Sequence, residues 1–358
     1  MIWKIALILL IILIIFTIIK KIAKAWIKII IVIIEIVFVL FIASKLVFPL
    51  LDMPEPTGTN KVKTDMVYYV NETKYSDMAT DGNAREIPIY VYYPENLKDG
   101  EHPLLIFSHG SFGIGSSNET LYSELASRGY VVMSLSHPHH SFFTKLSSGK
   151  TVFVDSTFFK EVVSSKGVKE IDKNLKDLNR WVDPRIEDIN FVLDKILDKR
   201  EDNIYERKID TKQIILSGHS LGGSAALAVG KQRAENIKAL VILESPFVKD
   251  IVAIDDNKYI FNKDEYPRPI LHIYSDSLWG KMSEITTYSL NQELIDAGNR
   301  KFVNVHIEGV GHIGLTDMSL ASPFLTNLID GGLDKKKGEE ALVEINKAVV
   351  DFLDNLSE

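Results

Sequence analysis

The stretch Ile214-Ile215-Leu216-Ser217-Gly218-His219-Ser220-Leu221-Gly222-Gly223-Ser224-Ala225-Ala226-Leu227 decides the fold. It reads as a buried strand that runs into Gly-x-Ser-x-Gly and then into a helix of small residues. That order is what a nucleophile elbow requires: a serine on a strained strand-to-helix turn, its hydroxyl pushed into a cleft. Gly218 and Gly222 carry no Cβ and leave the room such a turn needs. The N–H of Leu221 then points where an oxyanion forms, at the positive end of the following helix. Gly223, Ala225, Ala226 and Ala228 suit a helix packed closely on a sheet.

Outward from the elbow, apolar runs alternate with amphipathic ones, which implies an α/β fold with a mainly parallel sheet. Strands are expected at 62–70, 87–93, 103–108, 130–135, 213–218, 238–243, 269–274 and 302–307. Helices are expected near 117–128, 184–199, 221–233, 283–297 and 338–355. Asp183-Pro184 reads as a helix start, an N-cap followed by proline at the first helical position. Ile186, Ile189, Val192, Leu193 and Ile196 follow at helical spacing and form a core stripe.

A serine hydroxyl needs a base, and the base needs an orienting acid. In this architecture the chain order is Ser, then Asp or Glu, then His. His312 lies in Glu308-Gly309-Val310-Gly311-His312-Ile313-Gly314, after the strand-like run Phe302–Ile307, and is the candidate base. His306 lies inside that run and reads as a strand residue. Two carboxylates end apolar strands between Ser220 and His312: Asp276 after Pro269–Ser275, and Glu244 after Ala239–Leu243. Both sit at the C-terminal edge of a parallel sheet, where catalytic groups collect. The reading favours Asp276, with Glu244 as the alternative. A second oxyanion donor is expected in the turn after Pro103–Ser108, where His109-Gly110-Ser111-Phe112-Gly113 supplies the N–H of Ser111, with Phe112 next in line.

Phe107-Ser108-His109-Gly110, Leu121-Tyr122, Leu125-Ala126-Ser127 and Gly129-Tyr130-Val131-Val132 carry a resemblance, together with Gly218-His219-Ser220-Leu221-Gly222-Gly223 and the histidine loop with Asp317 five residues after His312. Over roughly residues 85 to 330 the chain resembles the platelet-activating factor acetylhydrolase family of α/β-hydrolases. The resemblance implies an α/β-hydrolase fold and ester hydrolysis by a Ser-His-acid triad, on short or oxidised acyl chains. It implies Ser220 as nucleophile, His312 as base, and Ser111 and Leu221 as oxyanion donors. The family's acid maps onto Glu244, where this chain has Glu for Asp. The chain is also similar to bacterial lipases and cutinase-like polyester hydrolases, whose acid maps onto Asp276. Both acids stay open.

The N-terminus carries the other strong signal. Residues 5 to 19 are apolar apart from Thr17, and Ala25 to Ala43 form a second apolar stretch broken only by Lys28 and Glu35. A transmembrane helical hairpin, with a single span and an interfacial helix as the alternative, is expected over residues 1–48, then a proline- and glycine-bearing linker over 49–60 and a hydrolase domain over 61–358. A cleaved signal peptide fits less well, because no small-x-small site is evident and the apolar content is too long for one h-region. Lys20, Lys21, Lys24 and Lys28 cluster between the runs, which places that loop in the cytoplasm and the catalytic domain outside it. Lys28 and Glu35 share one helix face, where they pair, snorkel or meet a partner span.

The chain has 358 residues and a net charge of −7. Residues 1–60 carry a net +3 and the remainder a net −10. An acidic domain argues against nucleic acid as a partner. There is no cysteine, hence no disulfide, thiolate metal site or cysteine nucleophile. His137-Pro138-His139-His140 invites a metal reading, but no further ligand converges in the sequence, and the loop reads as a wall of the cleft. Residues 141–182 are aromatic-rich and fit no sheet element; they read as a lid or acyl-binding wall. The combined expectation is a serine hydrolase in the cell membrane, acting on lipid or small ester substrates without cofactor or metal. Acyl transfer, peptide cleavage and an idle tethered binding module are the alternatives.

Overall fold

Eight strands form the central sheet: β1 (Val62–Glu72), β2 (Ala84–Pro94), β3 (His102–Ser108), β4 (Val131–Leu135), β7 (Ile209–His219), β8 (Ala239–Leu243), β11 (Ile270–Ser275) and β12 (Phe302–Ile307). Each falls on a segment where the apolar pattern predicts a strand. Their order is β1-β2-β4-β3-β7-β8-β11-β12. β2 runs antiparallel to β1 and β4, and every pairing from β4 to β12 is parallel. The computed structural model describes residues 2–20, 24–73, 75–165, 170–198 and 203–356.

The inner strands read as unbroken apolar runs because both sheet faces are covered. Along β3, Leu104 and Ile106 enter one core with helices α5 (Ile171–Leu197) and α6 (Leu221–Gln232). Leu105 and Phe107 enter the other, with α3 (Glu119–Ser127) and α10 (Gly338–Asn355). The alternation follows from the period of two along a strand. Two hairpins, β5 (Phe143–Lys145) with β6 (Thr151–Phe153) and β9 (Ile251–Asp255) with β10 (Lys258–Phe261), stand outside the sheet. Helices α4 (Ser156–Ser164), α7 (Ser289–Asp296), α8 (Met318–Ala321) and α9 (Pro323–Ile329) complete the domain.

Asp183-Pro184 does not start a helix. α5 begins at Ile171 and carries Pro184 in its interior. Buried Ile171, Trp181 and Val182 extend the apolar stripe upstream of the proline. Burying each large side chain contributes about 1.5–3 kcal/mol, and together they outweigh the roughly 3 kcal/mol cost of an interior proline.

At the N-terminus, α1 (Ile2–Ile19) packs against α2 (Ala25–Val47). α2 is long and apolar enough to cross a bilayer, and the apolar run Ile5–Ile19 of α1 is shorter. Thr17 Oγ1 donates to Glu35 Oε1 at 2.8 Å, buried between the two helices. Lys28 Nζ donates to the Ile18 carbonyl at the end of α1. Lys28 and Glu35 therefore turn to α1 rather than to each other. The chain leaving α2 lies along the domain: Ser322 Oγ donates to Val47 O, Leu51 N to Leu320 O at 3.0 Å, and Thr57 N to Glu124 Oε2 at 2.8 Å.

Candidate active site

β7 delivers Ser220 to the sheet's C-terminal edge with φ 53° and ψ −125°, the left-handed conformation of an elbow. For a non-glycine residue that strain persists only where the surroundings fix it. Here Ser220 N donates to Leu243 O at 3.0 Å, and α6 starts at the next residue. A Cβ on Gly222 would lie 2.0 Å from Ser108 O, so only glycine lets the elbow approach the end of β3. A Cβ on Gly110 would lie 3.2 Å from Ser220 Cβ, which places the His109–Gly113 loop against the serine.

His312 stands beside the elbow. Its ring centroid is 4.4 Å from that of His219, and its carbonyl lies 3.1 Å from His219 Nε2. His312 Nδ1 is 2.7 Å from Glu244 Oε1. The Glu244 side chain is 0% exposed and that of His312 is 28% exposed. Glu244 Oε2 also accepts the Ser275 N–H. Burial alone depresses the His312 pKa, but the Glu244 hydrogen bond and charge, with Asp330 behind them, outweigh it and hold it above the ordinary histidine value.

Asp276, the favoured acid in the sequence, lies elsewhere. Its Oδ1 is 2.8 Å from His306 Nε2 and its Oδ2 accepts the Gly309 N–H at 3.0 Å. The parallel register pairs Tyr274 with His306, so the imidazole emerges beside Asp276 before His312 is reached. Phe112 is also committed: at φ 62° its N–H donates to His140 O at 3.1 Å. The N–H of Ser111 has no acceptor among the described residues. Leu221 N–H opens α6, in the first turn where helical donors lack intrahelical partners.

The three histidines of the 137–140 loop point to three different partners. His137 Nδ1 lies 2.7 Å from Asp188 Oδ2 and its Nε2 lies 2.8 Å from Ser108 Oγ. His139 Nε2 lies 3.0 Å from Ala79 O. His140 stacks on Phe158 at 4.0 Å. Phe112 packs on Phe158 and Phe159 of α4, so part of the 141–182 segment borders the loop beside Ser220. Residues 166–169 of that segment lie outside the described residues.

Sequence reasoning missed four residues behind this cleft. Arg85 holds Asp188 through Nε and Nη2 at 2.7 and 2.8 Å, all buried. Arg185 donates to the carbonyls of His109 and Gly110. Asp330 accepts the N–H groups of Ile313 and Gly314 at 2.9 Å each, fixing the turn after His312. A charged residue in the apolar stripe of α5 was the available signal for Arg185; nothing local marked Asp330.

The sheet order and the strained serine between β7 and α6 define a chain of the α/β-hydrolase fold. The chain belongs to the platelet-activating factor acetylhydrolase, isoform II, family, whose model matches residues 78–358. A platelet-activating factor acetylhydrolase of Gallus gallus is 24% identical over 290 residues, covering 72% of this chain and 63% of its own length. A probable 1-alkyl-2-acetylglycerophosphocholine esterase of Arthroderma benhamiae is 28% identical over 130 residues, 35% of this chain and 27% of that protein. The chain thus spans less than two thirds of these relatives' length. Among solved structures, a ferulic acid esterase from Streptomyces cinnamoneus superposes with a TM-score of 0.60 at 17% identity, covering 84% of this chain and 91% of its own. A dienelactone hydrolase-like promiscuous phosphotriesterase from metagenomic libraries gives 0.51 at 12% identity, covering 82% and 98%. These likenesses show the fold.

Proposed function

We propose that this protein is a membrane-anchored serine hydrolase of carboxylic esters, with Ser220, His312 and Glu244 as its triad. The observation that carries the reading is the buried Glu244 carboxylate 2.7 Å from His312 Nδ1, beside a serine at φ 53°. A carboxylate on Nδ1 fixes the tautomer that leaves Nε2 free to accept a proton. Ser220 attacks the ester carbonyl as His312 takes its proton. The N–H groups of Ser111 and Leu221 hold the tetrahedral oxyanion. The alcohol leaves with the proton from His312, and a water activated by the same imidazole releases the acyl group. The chain's own residues carry each step.

The substrate class is a lipid ester with a short acyl group. The names of the two relatives support this, as does the aromatic cluster of Phe112, Phe158 and Phe159 beside the elbow. Exposed Phe142, Phe153 and Phe159 suit a wall or lid that meets lipid. The apolar α2 supports an anchor, with α1 as its hairpin partner. The lysines between the two helices favour a cytoplasmic turn and an extracytoplasmic catalytic domain.

The test uses the full chain in detergent, wild type beside Ser220→Ala, with p-nitrophenyl acetate and p-nitrophenyl octanoate. Turnover by the wild type and less than about a hundredth of it in the variant is expected, since triad members act as a unit. Comparable activity in Ser220→Ala would overturn the assignment. A higher rate on acetate than on octanoate supports the short-acyl reading, and the reverse overturns it.

A further inference from the structure

We infer that Arg185 is a positioning residue for the oxyanion donor: its buried guanidinium holds the Gly110 carbonyl so that the Ser111 N–H, on the same peptide unit, faces the cleft. The inference rests on the reading of Ser111 as an oxyanion donor.

A peptide unit is planar and trans, so its C=O and N–H point in opposite directions. Whatever grips the Gly110 oxygen therefore aims the Ser111 N–H the other way. Two side-chain donors grip it. Arg185 Nη2 lies 3.3 Å away, and His109 Nδ1 lies 2.7 Å away. A carbonyl oxygen only accepts, so His109 carries its proton on Nδ1 and leaves Nε2 to Ser141 Oγ at 2.8 Å. Arg185 Nη1 takes the preceding carbonyl, His109 O. Both acceptors of the turn are thus satisfied from behind. The Ser111 N–H has no acceptor among the described residues. The same turn presses on the elbow, since a Cβ on Gly110 would meet His219 and Ser220.

The charge of Arg185 adds to the geometry. The side chain is fully buried, and burial pulls its pKa down to about 9, with Asp188 opposing the fall and Arg85 adding to it, so it remains cationic at neutral pH. Yet Asp188 gives its oxygens to Arg85 and His137, and no carboxylate pairs with Arg185 among the described residues. A buried cation without a paired anion is costly. The anion it suits appears only when the substrate carbonyl becomes tetrahedral, on the far side of the Gly110–Ser111 peptide. Hydrogen bonds to a C=O also polarise the N–H of the same peptide and strengthen it as a donor. Stabilisation that arises only in the transition state raises kcat rather than lowering KM.

The test compares an ester with its thiono analogue, C=S in place of C=O, whose sulfur accepts N–H bonds weakly. Full-length wild type, Arg185→Gln, Arg185→Lys and His109→Leu are assayed on both. Arg185→Gln is expected to lower kcat on the oxo ester about 100-fold, the scale of one oxyanion donor, with KM within about two-fold and a smaller loss on the thiono ester. Arg185→Lys, which keeps the charge, recovers part of the loss. His109→Leu removes the other side-chain donor to the same carbonyl, leaving the Gly113 N–H, and shows the same signature, which carries the test if Arg185→Gln does not fold. Equal losses on both esters, or none, overturn the inference while leaving the hydrolase reading intact. A wild type with no oxo preference overturns the Ser111 reading and this inference with it.

Discussion

His306 Nε2 lies 2.8 Å from Asp276 Oδ1, and that pair ties off the carboxylate that the sequence favours for His312. Glu244, from the neighbouring strand β8, reaches His312 instead. Two substitutions should therefore differ sharply. Glu244→Gln places an amide on Nδ1, allows the wrong tautomer, and is expected to lower kcat about 10⁴-fold, as loss of the triad acid does elsewhere. Asp276→Asn weakens the ties to His306 and Gly309 and should cost no more than about ten-fold through the loop. The comparison is read as kcat on one ester; equal mild losses would remove both residues from the mechanism.

The pH profile gives an independent check. His312 must be neutral to act as base, and its pKa is held above the ordinary value of 6.5 against the opposing effect of burial, by Glu244 first and Asp330 next. Activity should therefore rise with pH through a midpoint above 6.5. Removing a neighbouring negative charge lowers the imidazole pKa, so the acid limb of Asp330→Asn should move to lower pH. Burial first, with Asp334 adding, pushes Asp330 up to about 6, so its own protonation loosens the turn at Ile313 and Gly314 on the acid side. A limb that stays in place or moves upward contradicts this arrangement.

The sheet was legible because both of its faces are buried, which turns strands such as β3 and β8 into short apolar runs bounded by turns. The elbow was legible because its glycines are required by contact, as at Gly222. The acid was not. Asp276 and Glu244 both end strands after the serine, and only the register that sets Tyr274 opposite His306 separates them. Arg185 and Asp330 act through backbone groups of loops remote in sequence, so no local spacing announces them. α5 was read short at Pro184 because proline is an ordinary helix start, and the upstream stripe of Ile171 and Trp181 was sparse.

Gly222 supplies a stability prediction. A Cβ there meets Ser108 O at 2.0 Å and His109 O at 2.5 Å, both backbone atoms that cannot rotate away. Gly222→Ala should destabilise the domain by about 3 kcal/mol, the upper end for overpacking. The full chain should melt about 10 °C lower and lose most of its activity, since β3 leads directly into the Ser111 turn. An unchanged melting temperature would mean that the elbow sits further from β3.

Acid should unfold this domain early, because five of its histidines are buried neutral. Burial first of all lowers the pKa of His109, His137, His140, His219 and His272, to about 4 for His137 and about 3 for His272. A group with a depressed folded pKa contributes stability that is present above its unfolded value of 6.5 and lost as pH falls toward the folded value. Three carboxyls and His312 oppose this: burial raises Glu119, and Glu244 holds His312 up against burial. Asp317 is raised to about 7 and Asp330 to about 6, both chiefly by burial, and their protonation in the folded state regains stability over the same range. The five depressed histidines outnumber these groups, so unfolding binds more protons than it releases and the melting temperature should fall from pH 7 to pH 5. His140 isolates the effect. Neither of its ring nitrogens has a partner among the described residues, and the ring stacks on Phe158. His140→Phe keeps the stack and deletes the titration. It should raise the melting temperature more at pH 5 than at pH 8, and an equal change at both pH values would show that His140 does not contribute to the acid sensitivity.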